Sequence, residues 1–323
     1  MRNDDSPPPP TSAASADPDH RAWFTRRPVL VIAAAALAPT LLGGWVLTQV
    51  LTGAGADDSR PPRIVMPMGS AASASVTATP TAAASASAPA PGAAPVAKGP
   101  LSGRTVVIDP GHNTGNFDHT DEIAQLVDIG TNMKECDATG TTTNSGYMEA
   151  AFTMDVSLRT RQLLEAQGAK VVLTHEGGDP VWGPCIDERA RIGNQSNADA
   201  VVSVHADGVS AGNRGYHIIL PADVQGGDAD TSAIVGPSRQ LGERIASNFA
   251  RTTGSAPANY LGSGTGLVVR DDLGGLNLST RPKVFIECGN MRDAKDAAQL
   301  TSPEWRQKAA QGIADGIVGF LGG

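Results

Sequence analysis

The sequence has no excess of basic residues. Its 25 Lys and Arg are outnumbered by 33 Asp and Glu, a formal net charge of −8. The first hundred residues hold 7 basic and 6 acidic side chains, so the remainder holds 18 and 27 and carries −9 by itself. A domain of that sign has no electrostatic footprint for nucleic acid, and no nucleic-acid partner is expected. Adhesion to anionic polymers through charge alone is disfavoured too, so affinity for such a substrate has to come from a shaped site. Cysteine is limited to Cys136, Cys185 and Cys288, with no C-x-x-C pair. The compact metal motif H-E-x-x-H is also missing.

Val29 to Leu51 is a largely apolar run of 23 residues without a charge. A helix of that length crosses a hydrocarbon core at about 1.5 Å per residue. Arg21, Arg26 and Arg27 precede the run, and Asp57 and Asp58 follow it. Basic residues stay on the cytoplasmic side, which puts the C-terminal bulk outside the cell membrane. The run is either an uncleaved anchor or a signal peptide cut after Ala54-Gly55-Ala56. Residues 1–28 then form a cytosolic tail and 29–51 the transmembrane or signal segment. Residues 52–100 are rich in Ala, Pro, Ser and Thr and cannot bury enough apolar surface to offset chain entropy. They are expected to form a disordered linker.

From Leu101 to Gly323 the pattern is globular. Short β-branched runs at 105–108, 170–174, 200–204, 216–220 and 283–286 alternate with helical periodicity at 150–167, 186–197, 237–252 and 303–321. Such alternation predicts the α/β class: a single twisted, mainly parallel sheet with helices on both faces. In these folds, sites gather at the carboxyl ends of strands. Three runs lead directly toward titratable residues: 105–108 into Asp109 and then His112, 200–204 into His205 and Asp207, and 283–286 into Glu287. Glu149 stands at the start of the helix from Ala150. Two imidazoles and a carboxylate suit a catalytic zinc ion, and a further carboxylate suits a general base. Spacing alone does not single out these residues, because 37 residues separate His112 from Glu149 and 56 separate Glu149 from His205. His119, His175 and His217 compete for the role, although His217 reads as structural.

Val107-Ile108-Asp109-Pro110-Gly111-His112 resembles the opening signature of the N-acetylmuramoyl-L-alanine amidases of the Amidase_3 family. The stretch from Glu149 to Leu173-Thr174 resembles its second block, Arg189 to Asn194 with Ser203-Val204-His205-Ala206-Asp207 its third, and Val284 to Asn290 its last. The blocks occur in the family's order and cover nearly all of 104–321. The resemblance implies zinc held by His112, Glu149 and His205, and catalysis by Glu287 on the amide joining N-acetylmuramic acid to L-alanine. It also implies peptidoglycan as substrate, which agrees with the wall-side location and membrane contact read from the N-terminal segment; a monomer is expected. Arg189 and Asn113 are candidate substrate contacts; Arg189 could instead brace the site from behind. Asn113 replaces a Gly that many relatives carry, and the segment from His112 to Glu149 is long. Both features, with Asp271 to Asn277, resemble the actinobacterial, mycobacterial branch. A zinc peptidase acting within the stem peptide and a non-catalytic wall-binding module are the alternatives.

Cys136 and Cys185 lie in Gly-, Pro- and Thr-rich loops, each before a helix that carries a site candidate. In an exported domain such a pair is expected to be oxidised to a disulfide. Cys288, next to Glu287 on a buried strand, is expected to stay a reduced, inert thiol.

Overall fold

The computed structural model describes residues 98–322. The expected cytosolic tail, the transmembrane or signal segment and nearly all of the linker lie outside the described residues. Among the described residues, no helix is long and apolar enough to cross a membrane.

Among the described residues ten strands occur: β1 (Thr105–Pro110), β2 (Leu126–Asp128), β3 (Met133–Glu135), β4 (Lys170–Leu173), β5 (Ala200–Asp207), β6 (His217–Pro221), β7 (Gln225–Gly226), β8 (Ala229–Asp230), β9 (Leu267–Arg270) and β10 (Lys283–Asn290). The helices are α1 (Thr120–Ile123), α2 (Glu149–Ala166), α3 (Ile186–Gln195), α4 (Val235–Thr253), α5 (Gly274–Asn277), α6 (Ala294–Leu300) and α7 (Pro303–Leu321). Six strands form the central sheet in the order β4-β1-β5-β10-β6-β9. Every neighbouring pair in it is parallel except β10–β6. The class is therefore α/β with a mostly parallel sheet. Two small antiparallel pairs, β2–β3 and β7–β8, lie outside it.

The helix boundaries have local causes. Ser302 caps α7 by accepting from the Trp305 N–H, and Pro303 fills the first helical position, where no donor is needed. Glu149 opens α2, where a carboxylate meets the positive end of the helix dipole.

Strand register assigns the faces, because residues paired across neighbouring strands point the same way. One face presents Val106, Ile108, Val202, Val204, Val284, Ile286, Ile218 and Leu220, all at 1% exposure or less. Phe152, Val156 and Leu164 of α2, Leu241, Ile245 and Phe249 of α4, and Ile313 and Ile317 of α7 bury themselves against it. Each such side chain contributes about 1.5–3 kcal/mol. The opposite face carries Asp109, Ser203, Phe285 and Ile219 in one row and His205, Glu287 and His217 in the next. The short helices α3 and α5 and the segment after β1 cover it. Helices thus lie on both faces, but the long ones are on one.

β5 and β10 also extend past their β-branched runs. Pairing continues through Glu287 opposite His205, and the register shifts between Glu287 and Asn290. His205 and Glu287 accordingly stand on the polar face of the sheet, near its carboxyl edge.

Candidate metal centre

The turn after β1 sets His112 at φ 60°, a left-handed conformation uncommon for a residue with a Cβ. Arg189 holds this turn in place. Its guanidinium donates to the Pro110 and His112 carbonyls at 2.6 and 3.1 Å. The His112 Nδ1–H donates to the Ala138 carbonyl at 3.0 Å, which leaves Nε2 to face Glu149 Oε2 at 3.3 Å. The preceding Gly111 is required by close approach: a Cβ there would lie 2.3 Å from the His205 ring.

Glu149 takes one backbone N–H on each oxygen, from Thr141 at 2.9 Å and Ala206 at 3.1 Å. Its Oε1 also lies 3.1 Å from His205 Nδ1. The His205 ring is stacked on Phe285, with centroids 5.2 Å apart. His112, Glu149 and His205 each bring one donor atom into a group whose members all lie within 4.8 Å of one another. Two imidazole nitrogens and a carboxylate are the donor set of a catalytic zinc site. The charges also fit a cation. Burial works against an imidazolium, yet the Glu149 and Asp137 carboxylates raise His112 to about 10, so the surroundings favour a positive charge at this point.

Glu287 borders the same cleft as these three residues. Its Oε2 is buried with no hydrogen-bond partner among the described residues. Burial, with Asp207 and Glu149 nearby, pushes its carboxyl well above the ordinary range. Such a group can accept a proton near neutral pH.

Arg189 and Asn113, the candidate substrate contacts, are both buried, and for Arg189 this favours the bracing alternative. Arg189 is 4% exposed. It forms ion pairs with Asp109 and Asp137, both at 2.9 Å, besides its carbonyl contacts. Every edge of the guanidinium is engaged inside the protein, so it braces the site from behind. Asn113 is 1% exposed and donates to the Pro180 and Gly183 carbonyls while accepting from the Gly115 N–H. Its amide is spent on closing a loop.

The competing histidines are not part of this donor group. His175 contacts the Pro110 carbonyl at 3.0 Å, and His119 pairs with Glu122 and stacks on Trp182. His217 is buried opposite Glu287 on β6. A bond joins Cys136 to Cys185, and Cys288 is free and buried.

Sequence reasoning named Arg189 as a possible brace but missed most of the contacts behind the candidate ligands. Asp109 accepts from Thr174, Arg189, Ser203 and the fully buried Lys283 at 2.7 to 3.2 Å. Burial opposes its charge, but Lys283 and Arg189 hold its carboxyl far below the usual range. Asp137, missed altogether, lies 3.5 Å from His112 Nδ1. Its position directly after Cys136, whose bridge anchors that loop, was the available signal.

The model of the family described as N-acetylmuramoyl-L-alanine amidase, Amidase_3, matches residues 106–318. The N-acetylmuramoyl-L-alanine amidase Rv3717 of Mycobacterium tuberculosis is 42% identical over 223 residues, spanning 68% of this chain and 88% of that protein. The crystal structure of the amidase Ami1 from Mycobacterium smegmatis aligns with a TM-score of 0.63 at 41% identity, over 69% of this chain and 98% of that one. The apo form of Ami1 from Mycobacterium abscessus aligns with a TM-score of 0.62 at 43% identity, over 68% and 100%. With a turn, a helix start and two strands converging as described, and with matches of this extent, the chain belongs to the Amidase_3 family of N-acetylmuramoyl-L-alanine amidases.

Proposed function

We propose that this protein is a zinc-dependent hydrolase of the amide between the lactyl group of N-acetylmuramic acid and L-alanine, acting on peptidoglycan outside the cell membrane. The observation that carries the proposal is the meeting of His112, Glu149 and His205 donors within 4.8 Å, in one cleft with Glu287. His112, Glu149 and His205 would hold the ion. A zinc ion supplies acidification of water and polarisation of a carbonyl.

The chain's own residues do the rest. Glu287, kept protonatable by burial, takes a proton from the attacking water through its carboxylate. It then passes that proton to the alanine nitrogen as the amide breaks. Phe285 fixes the plane of His205, and the Ala138 carbonyl fixes the tautomer of His112. The Cys136–Cys185 bridge supports an oxidising, wall-side location.

Mass spectrometry of muropeptides after digestion with the domain from Leu101 onward tests the reaction. Sugar strands freed of peptide are expected, with loss of activity on chelation and recovery with zinc. Cleavage inside the stem peptide, or full activity after verified metal removal, would refute the reading.

A further inference from the structure

With Arg189 occupied internally, the site needs another way to hold an anionic peptide. A stem peptide bears carboxylates, and the globular part of this chain carries −9. Among the described residues lining the two clefts beside the metal centre, the Lys and Arg side chains are Arg189, Lys134 and Arg270.

The last two meet at the rim. Arg270 donates Nε and Nη2 to the two oxygens of Asp272, each at 2.7 Å. Lys134 Nζ lies 3.6 Å from the same carboxylate. Two cations share the Asp272 carboxylate at this rim, and Glu287 and Asp207 also act on Arg270. The members of this cluster are open to solvent: the Arg270 side chain is 42% exposed and that of Asp272 40%. An exposed pair of this kind contributes little to stability and exchanges partners readily, unlike the buried Arg189 pairs. Arg270 also borders the cleft that contains Glu287, His112 and His205, and its charge acts on Glu287.

We propose that Arg270, with Lys134 beside it, is the anchor for a carboxylate on the peptide side of the scissile amide and so sets substrate specificity. This rests on the amidase reading above. Asp272 occupies the Nε–Nη2 edge and keeps the guanidinium aimed, leaving the Nη1–Nη2 edge for a second, bidentate carboxylate.

The test uses the purified, zinc-loaded full chain and muramoyl-L-alanyl peptides in which each carboxylate is replaced in turn by a carboxamide. One replacement should raise the wild-type KM about tenfold with little change in kcat, as expected for losing a charged hydrogen-bonded pair. Arg270→Gln should bring the carboxylate-to-carboxamide KM ratio to about one with zinc content unchanged, and Arg270→Lys should restore part of the preference. A wild-type enzyme indifferent to every replacement overturns the proposal. So does an Arg270→Gln variant that slows all substrates equally, since that marks a structural role. A wild-type enzyme that leaves the lactyl–alanine bond intact overturns the amidase reading itself, and the proposal with it, before any variant is compared.

Discussion

The two faces of the central sheet are built by the same strands, one residue out of step. On β10, Val284 and Ile286 point into a helix-covered apolar core, while Lys283, Phe285 and Glu287 point the other way. The apolar face is held by area and shape. The polar face is also buried in part, but it is held by matched charges: Asp109, Asp137, Arg189 and Lys283 are all under 9% exposed and ion-paired. Buried pairs are costly to desolvate and add little net stability against apolar replacements. Their presence here coincides with the need to fix the His112 turn. One face holds the fold together, and the other holds the candidate ligands still.

If that division is right, damage on the apolar face should cost stability and spare chemistry. Phe249, fully buried between Tyr216 and Trp305, is the sharpest probe. Phe249→Ala is expected to lose about 3–5 kcal/mol in urea unfolding, with unchanged turnover per folded molecule. A parallel fall in turnover would break the comparison. Glu287→Gln should do the reverse. Turnover should fall at least ~100-fold, about 2.7 kcal/mol in barrier, with zinc content and melting temperature kept. Loss of zinc in Glu287→Gln together with its retention in Glu149→Ala would mean that the two carboxylates exchange roles.

The smallest effect is acid sensitivity, which belongs to the polar face. Asp109 and Asp137 are both depressed in the folded state, Asp137 to about 2. Depressed carboxyls stabilise the fold above their unfolded pKa of about 3.9 and stop doing so as pH falls through the folded value. Stability should therefore hold above about pH 4 and decline below it, with about 2 kcal/mol of the loss from Asp137. In Asp137→Asn the decline should be shallower in this window. An unchanged slope would remove Asp137 from the network.

Much of this was legible in the chain itself. β-branched runs ending in His205 and Glu287 marked the strands, and Pro303 marked the start of α7. What was not legible depended on contacts distant in sequence. Arg189 looks like a surface cation until Asp109 and Asp137, 80 and 52 residues away, close around it. Asn113 adjoins a candidate ligand, yet its partners come from the loop at Pro180 and Gly183. The β2–β3 hairpin escaped notice because its strands are only three residues long and mostly exposed. Lys283 reads as a solvated strand end, and only the sheet register shows it facing Asp109.

The bridge between Cys136 and Cys185 spans 49 residues of sequence, and Glu149 lies within that span. A protease could cut this segment once and still not release a fragment. The piece ending in the nick, with His112, would remain covalently tied through sulfur to the piece carrying His205 and Glu287. Cuts between 136 and 185 are thus silent on a non-reducing gel and become visible only after a thiol is added. The bridge turns backbone scission there from separation into a nick that leaves both pieces covalently joined.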